Sequence, residues 1–450
     1  MSKVPTADQA RVAARDAHLA EIERVAPRLA AEPFARIAPL RAQAIARFGE
    51  VGMPGPREEA WRHVNLRPLF QSTFAVPEEW DEEAARQALA LFTFAGLDAT
   101  RLVFVNGRFA ETLSTLPPLP GGAWVGSLRD ALANGSDEVL AHLAHHAPIE
   151  DTPFTALNTA MFEDGALIVI PRGVVIEQPI HVLHLTVGPD PMITSPRTLA
   201  LIGEGAQATL IESFAGHDTA THFTNAVSEI QVGPGAHVHH LKLQREGEDA
   251  FHVANTRAHL ERDAHFASVN VTLGSQLTRN DMGARIDGEG AHCALDGLNM
   301  VSGAQWVDNH TLLDHAVPHC TSHQLYKSVL DDRATTVFNG RIIVRQDAQR
   351  TDAIQSNHSL LLSDTATAHT QPNLEIFADD VKCTHGATVG NLEEHKVYYL
   401  RTRGIGEAEA RGLLTFAFAN EIIERINVEP VREQLEAHLF ARFHRPPESA

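Results

Sequence analysis

Cys383 and His385 stand two residues apart in the segment KCTHGA, and on a β-strand residues two apart share a face. A thiol and an imidazole pointing the same way form a soft and a borderline ligand. His237 and His239 pass the same geometric test. His292 beside Cys293 fails it, because neighbours on a strand point to opposite sides, and Cys320 and His323 are three residues apart. A structural zinc centre takes four ligands in compact spacing, and the two CxxC or CxxH pairs that would provide them do not occur. Cys383 and His385 therefore amount to half a site, to be completed by distant residues or by a second chain. Packing supplies the competing reading, with Cys383 as an inert core thiol and His385 before Gly386 as a turn residue.

Other chemistries have less behind them. His237-x-His239-His240 is similar to the opening of a cupin metal motif, whose histidines are followed shortly by a glutamate ligand, but positions 243 and 244 are Leu and Gln. The carboxylate pairs Asp331-Asp332 and Asp379-Asp380 would suit polysaccharide cleavage in a solenoid groove, yet adjacent strand residues diverge. There is no G-x-x-x-x-G-K-[ST] loop and no Gly-Lys dipeptide, so any ATP consumption falls to a partner. G-x-S-x-G, the elbow of a serine hydrolase, is also missing.

The elements that must position these residues follow from composition and period. The chain's 450 residues are 44% hydrophobic and 21% charged, a globular balance with room for a large core. Against 57 acidic side chains stand 37 basic ones, and the formal charge of -20 repels a phosphate backbone, which argues against nucleic acid as a partner. Cys293, Cys320 and Cys383 cannot frame disulfides, and the first twenty residues hold two aspartates and no apolar run. A soluble, cytoplasmic protein with at least one free thiol is expected. No stretch approaches the roughly 18 apolar residues that would span a bilayer. Residues 7–50 place Val12, Leu19, Ile22, Val25 and Leu29 at helical spacing, another helix is read from Asp81, and Arg101 to Phe109 reads as a hairpin about Asn106-Gly107.

From about Gly165 short runs of Val, Ile, Leu, Thr and His alternate with polar residues, and each Gly- or Asp-containing bend leads into an alanine. Ala206, Ala236, Ala264 and Ala291 follow at spacings of 30, 28 and 27 residues, a period that marks a solenoid. Ala166, Ala334, Ala348 and Ala366 sit in similar turns, the last three at spacings of only 14 and 18. A β-helix explains this if the small alanine packs inward at a corner and glycine supplies a positive φ; a jelly roll does not require the same corner so many times in series. Near Tyr398 the period ends. The helix read over 407–427 carries Leu413, Leu414, Phe416, Phe418, Ile422 and Ile423 on more than one face, and an amphipathic helix follows Pro430. Such a hairpin caps the solenoid end or docks a partner. The expected division is 1–95 helical, 96–164 an α/β linker region, 165–397 β-helix and 398–450 helical.

The segment from Phe338 to Gly404 resembles the hallmark of the SufB/SufD family of iron-sulfur cluster assembly proteins. The likeness rests on FNG at Phe338 to Gly340, Gln355, Asn357, the LLLSD run, Pro372 to Ile376, Asp380 to Cys383, His385 to Thr388 and Arg403-Gly404, with EEAWRHVNLR from Glu58 similar to an early motif of the family. It implies a mainly β protein, a right-handed parallel β-helix flanked by N-terminal and C-terminal α-helical regions. It also implies a non-catalytic scaffold that pairs with its paralogue SufB. The ATPase SufC would dock on the C-terminal helices, where Leu413, Leu414, Phe416, Phe418, Ile422 and Ile423 lie, and a transient iron-sulfur cluster would form at the interface between paralogues, with Cys383 and His385 as this chain's ligands. SufB-like chains carry a cysteine in QCDSL and a glutamate after the histidine of HEAT, whereas the matching positions here are Ser356 to Leu360 and His385 to Thr388. The chain thus resembles the other branch, which lacks the sulfur-accepting cysteine. The resemblance leaves open a flavin on the complex and a homodimer of the chain alone. The alternative is a stand-alone metal-binding β-solenoid, either a cupin-like metalloenzyme or a homodimeric metal carrier.

Overall fold

The computed structural model describes residues 6–30, 34–188, 191–216, 220–443. From Arg197 onward successive strands alternate between two ten-stranded sheets, so that the chain winds as a flattened parallel β-solenoid. Parallel ladders connect each strand to the one a coil later; His237–Arg245, for example, pairs with Gln207–Gly216 on one side and His265–Thr272 on the other. The hairpin about Asn106-Gly107 forms with both residues at positive φ, and its first strand, Thr100–Val105, adds to one of the sheets alongside Ile180–Thr186. Among the described residues no helix is long and apolar enough to cross a membrane.

The recurring bends are β-turns closed by the alanine itself. The amide N–H groups of Ala206, Ala236, Ala264, Ala291, Ala334, Ala348 and Ala366 each donate to the carbonyl three residues earlier, and all seven side chains are buried. Left-handed backbone at the residue before is supplied by Gly205, Gly235 and Gly290, and at the fourth corner by Asp263. The shorter late spacings have a geometric origin: Ala206, Ala236, Ala264 and Ala291 precede strands of one sheet, whereas Ala334 and Ala366 precede strands of the other, so the later intervals step half a coil. Ala166 differs, since it opens a strand rather than closing a turn. Beyond Ala291 the same corner column continues with Cys320, whose thiol is buried. Replacing Ala236 by Leu forces extra methylenes into this column and is expected to cost about 1–3 kcal/mol. A denaturant titration with an unchanged midpoint would contradict inward packing there.

Helices cover both outer faces. Helix Ala7–Leu29 begins with a capping box on Thr6 and buries Ala10, Ala14, His18, Ile22, Val25 and Leu29, while Val12, expected inside, is 44% exposed. With Phe48, Trp61 and Phe154, this layer packs on Phe223, Phe251, Val253 and Leu277 of one sheet. Helices Glu407–Ile423 and Glu429–Phe443 pack on Leu241, Leu243, Val269, Leu298 and Leu325 of the other sheet. The C-terminal hairpin therefore flanks the solenoid instead of capping its end. Strands Thr367–Ile376 and Lys382–Asn391 each close a sheet with no neighbour beyond them, and their side chains are largely exposed.

Candidate functional site

Cys383 and His385 lie on Lys382–Asn391, the last strand of its sheet, where Cys383 pairs with Ala353 and His385 with Gln355. Each position faces the solenoid interior because its ladder partners do: Phe266, Cys293, Ser322 and Ala353 run toward Cys383, and Leu295, Gln324 and Gln355 run toward His385. In the middle of the solenoid these columns are sealed. At the last coil no further strand covers them, which leaves Cys383 half-buried against the apolar interior and His385 exposed. Burial and the Asp352 carboxylate push the Cys383 thiol up, so any metal ion that bound it would have to displace a proton. Among the described residues no three His, Cys, Asp or Glu side chains converge to hold a metal, so Cys383 and His385 have no third ligand of these types beside them.

Polar side chains lie beneath this mouth. Gln355 Nε2 donates to Gln324 Oε1 at 2.7 Å, which leaves Gln324 Nε2 and Gln355 Oε1 without partners, and Asn357 Oδ1 is likewise unsatisfied. All three residues are buried. Gly340 of the FNG segment faces them from the opposite sheet: a Cβ there would come within 2.4 Å of Gln355 Nε2, so the glycine gives the amide its space. The sequence motif contained Gln355 and Asn357 without revealing this stacking, which depends on the register between coils.

The other candidate residues separate. His240 points inward and pairs with Glu212 at 3.0 Å, while His237 and His239 point outward, so the HxHH cluster does not converge. His237 stacks on His265 with ring centroids 4.4 Å apart, and His265 lies 5.8 Å from His292. Sequence reasoning missed His265 and weighed His292 only against Cys293, although their spacing from His237 repeats that of Ala236, Ala264 and Ala291. Asp331 and Asp332 belong to a corner turn, where the Asp332 carboxylate accepts the Gly303 amide at 2.9 Å. Cys293 is fully buried, and desolvation pushes its thiol well above the ordinary range.

On the C-terminal helix Ile422 and Ile423 are fully buried against the sheet, whereas Leu413, Leu414, Phe416 and Phe418 are half-buried. Lys327 ties the helix down through the Phe418 carbonyl, the Glu421 carboxylate and the Phe418 ring, and Arg425 pairs with Asp296 at 2.9 Å. Beside Leu414, Tyr398 and Tyr399 form an exposed apolar hollow that the periodicity gave no sign of. Two variants separate core from surface. Ile422→Asp, which buries an unpaired charge, is expected to unfold the C-terminal hairpin, and Leu414→Asp to leave the melting temperature nearly unchanged. Equal melting of the two variants would contradict this division.

Comparison with known proteins covers most of the chain. The family model described as SUF system FeS cluster assembly, SufBD core domain, matches residues 184–418, and the model of the SufBD protein N-terminal region matches residues 22–182. The chain is 34% identical over 404 residues to an iron-sulfur cluster assembly SufBD family protein of Synechocystis, covering 88% of each chain. It is 32% identical over 408 residues to the iron-sulfur cluster assembly protein SufD of Escherichia coli, covering 90% of this chain and 93% of that one. To the chloroplastic protein ABCI7 of Arabidopsis thaliana it is 31% identical over 400 residues, with 86% and 82% covered.

Proposed function

The chain belongs to the SufBD family of iron-sulfur cluster assembly proteins and is a homologue of SufD, and from that premise we propose that it is a scaffold subunit whose last coil completes an iron-sulfur assembly site with a second chain. The partner is the paralogue SufB. The observation that carries this reading is the open end: two edge strands with unpaired backbone groups, and between them an inward-facing thiol and imidazole with no third protein ligand among the described residues. Exposed edges invite strand addition, and a partner coil stacked there would bring its own ligands within reach of Cys383 and His385. The nascent cluster is the cargo of the site. This chain supplies to it a thiolate and an imidazole, both fitting ligands for iron.

The ATPase SufC docks on the C-terminal hairpin. Leu413, Leu414, Phe416 and Phe418, with Tyr398 and Tyr399, carry its contacts, while Ile422 and Ile423 hold the helix to the sheet. Because the hairpin is fastened to the strands by Lys327 and Arg425, force applied to it is passed to the solenoid. Anaerobic affinity purification of the chain at native expression, with mass spectrometry of the co-eluting proteins, tests the assembly. Stoichiometric recovery of a P-loop ATPase and a β-helical paralogue is expected. Elution of the chain alone with bound metal would replace this reading with a self-contained metal carrier.

A further inference from the structure

We propose that the cavity walled by residues 62–67, Trp306 and His369 binds a small organic anion with a flat apolar body. It is separate from the thiol and imidazole at the open end. The hollow holds about 440 Å³, within the range of about 300–1,000 Å³ usual for small-molecule sites. Residues 62–67 belong to EEAWRHVNLR, a motif to which neither the open end nor the C-terminal hairpin gives a role. The first turns of helix Ala7–Leu29 form a second wall, and strands Trp306–His315 and Thr367–Ile376 contribute Trp306 and His369.

Charge selects an anion. Arg11, Arg62 and Arg67 line the cavity against one carboxylate among the described residues, that of Asp8, which lies 3.8 Å from the Arg57 guanidinium. In a chain of formal charge -20 this excess of cations runs against the overall balance. Arg11 is held by the Met53 carbonyl at 3.3 Å and by Glu58 at 3.9 Å, and a Cβ at Gly55 would come within 3.3 Å of Arg11 Nη1, so the glycine lets the guanidinium lie close. Arg62 and Arg67 are exposed and make no ion pair among the described residues, which leaves both guanidinium groups open to a carboxylate, sulfonate or phosphate oxygen. The remaining walls select the flat body. Phe70 and Trp306 are only partly buried, Val64 and Leu66 belong to the same apolar cluster, and His63 stacks on His369 with ring centroids 4.8 Å apart. Four rings about one hollow suit a planar apolar group.

The test uses the full chain, free of any tag, and the fluorescent aromatic anion anilinonaphthalenesulfonate. Titration is expected to saturate at one molecule per chain and to weaken as salt screens the arginines. N-phenylnaphthylamine, the same ring system without the sulfonate, should bind at least about tenfold more weakly. The double variant Arg62→Gln/Arg67→Gln should bind the sulfonate at least about tenfold more weakly while its melting temperature stays unchanged, because both side chains are exposed. Equal binding of the neutral probe would reduce the cavity to an apolar hollow, and sulfonate binding that survives in the double variant would place the probe elsewhere. Either result overturns the site, as does the absence of saturable binding. Cys383 and His385 take no part in the measurement, so its outcome is independent of the assembly function.

Discussion

Cys383→Ser and His385→Ala, each introduced into the assembled complex, are expected to lower its iron and acid-labile sulfide severalfold while leaving assembly and folding intact. His385 is exposed and Cys383 only half-buried at a coil that nothing covers, so truncating either disturbs little packing. Surface changes of this kind shift stability by about 0.5 kcal/mol or less. The effect on iron is larger in kind. Altering even a group that hydrogen-bonds a metal ligand weakens binding about 10–100-fold, and here a proposed direct ligand is removed. Measuring iron, sulfide and melting temperature on the same preparations separates the two roles. Full cluster content in both variants would end the assignment, and a collapse of melting temperature would make the pair structural.

Acid is expected to unfold the protein steeply between about pH 6.5 and 4. Burial lowers His181 to about 3 and His18, His184, His252 and His315 to about 4. Each imidazole is neutral in the fold, whereas in the unfolded chain it takes up a proton near its ordinary value of about 6.5. The stability they contribute is therefore complete above that value and is lost as the pH falls toward 4. Near pH 5 these five groups bind about 4.5 more protons in the unfolded state, a slope of roughly 6 kcal/mol per pH unit. Glu212 acts in the same direction at lower pH: burial alone would raise its carboxyl, but the hydrogen bond from His240 brings it down to about 2. Asp164 and Asp296, pushed up by burial, oppose the trend. Calorimetry in buffers of different ionisation enthalpy counts the protons directly. A melting temperature that stays constant from pH 7.5 to 5.0 would show that these histidines are not held neutral.

What the sequence made legible is what repeats along one strand or from coil to coil. The corner alanines and the shared face of Cys383 and His385 follow from local chemistry and a period of two. The half-coil step from Ala334 to Ala348 was visible as a number, but its meaning required knowing that those turns belong to different corners. The histidine row lay hidden for a related reason: His237, His265 and His292 meet only because the coils between them have matching lengths. Nor could the helix 407–423 reveal which apolar face meets the sheet. Its breadth of hydrophobic residues serves two ends, with Ile422 and Ile423 inward and Leu413 and Leu414 toward the surface. That the hairpin flanks the solenoid and leaves the last coil open is a tertiary fact that no local pattern encodes.

Hydrogen exchange on the isolated chain and on its proposed complex with SufB tests most directly whether the open coil is where a second chain completes the site. The amides of Thr367–Ile376 and Lys382–Asn391 lie on edge strands and should exchange rapidly where they point outward in the isolated chain. On binding they are expected to slow by at least about tenfold, while the central strand His265–Thr272 remains unchanged. Protection elsewhere, with both edge strands exchanging as before, would contradict the account, because Cys383 and His385 would then face no second set of ligands.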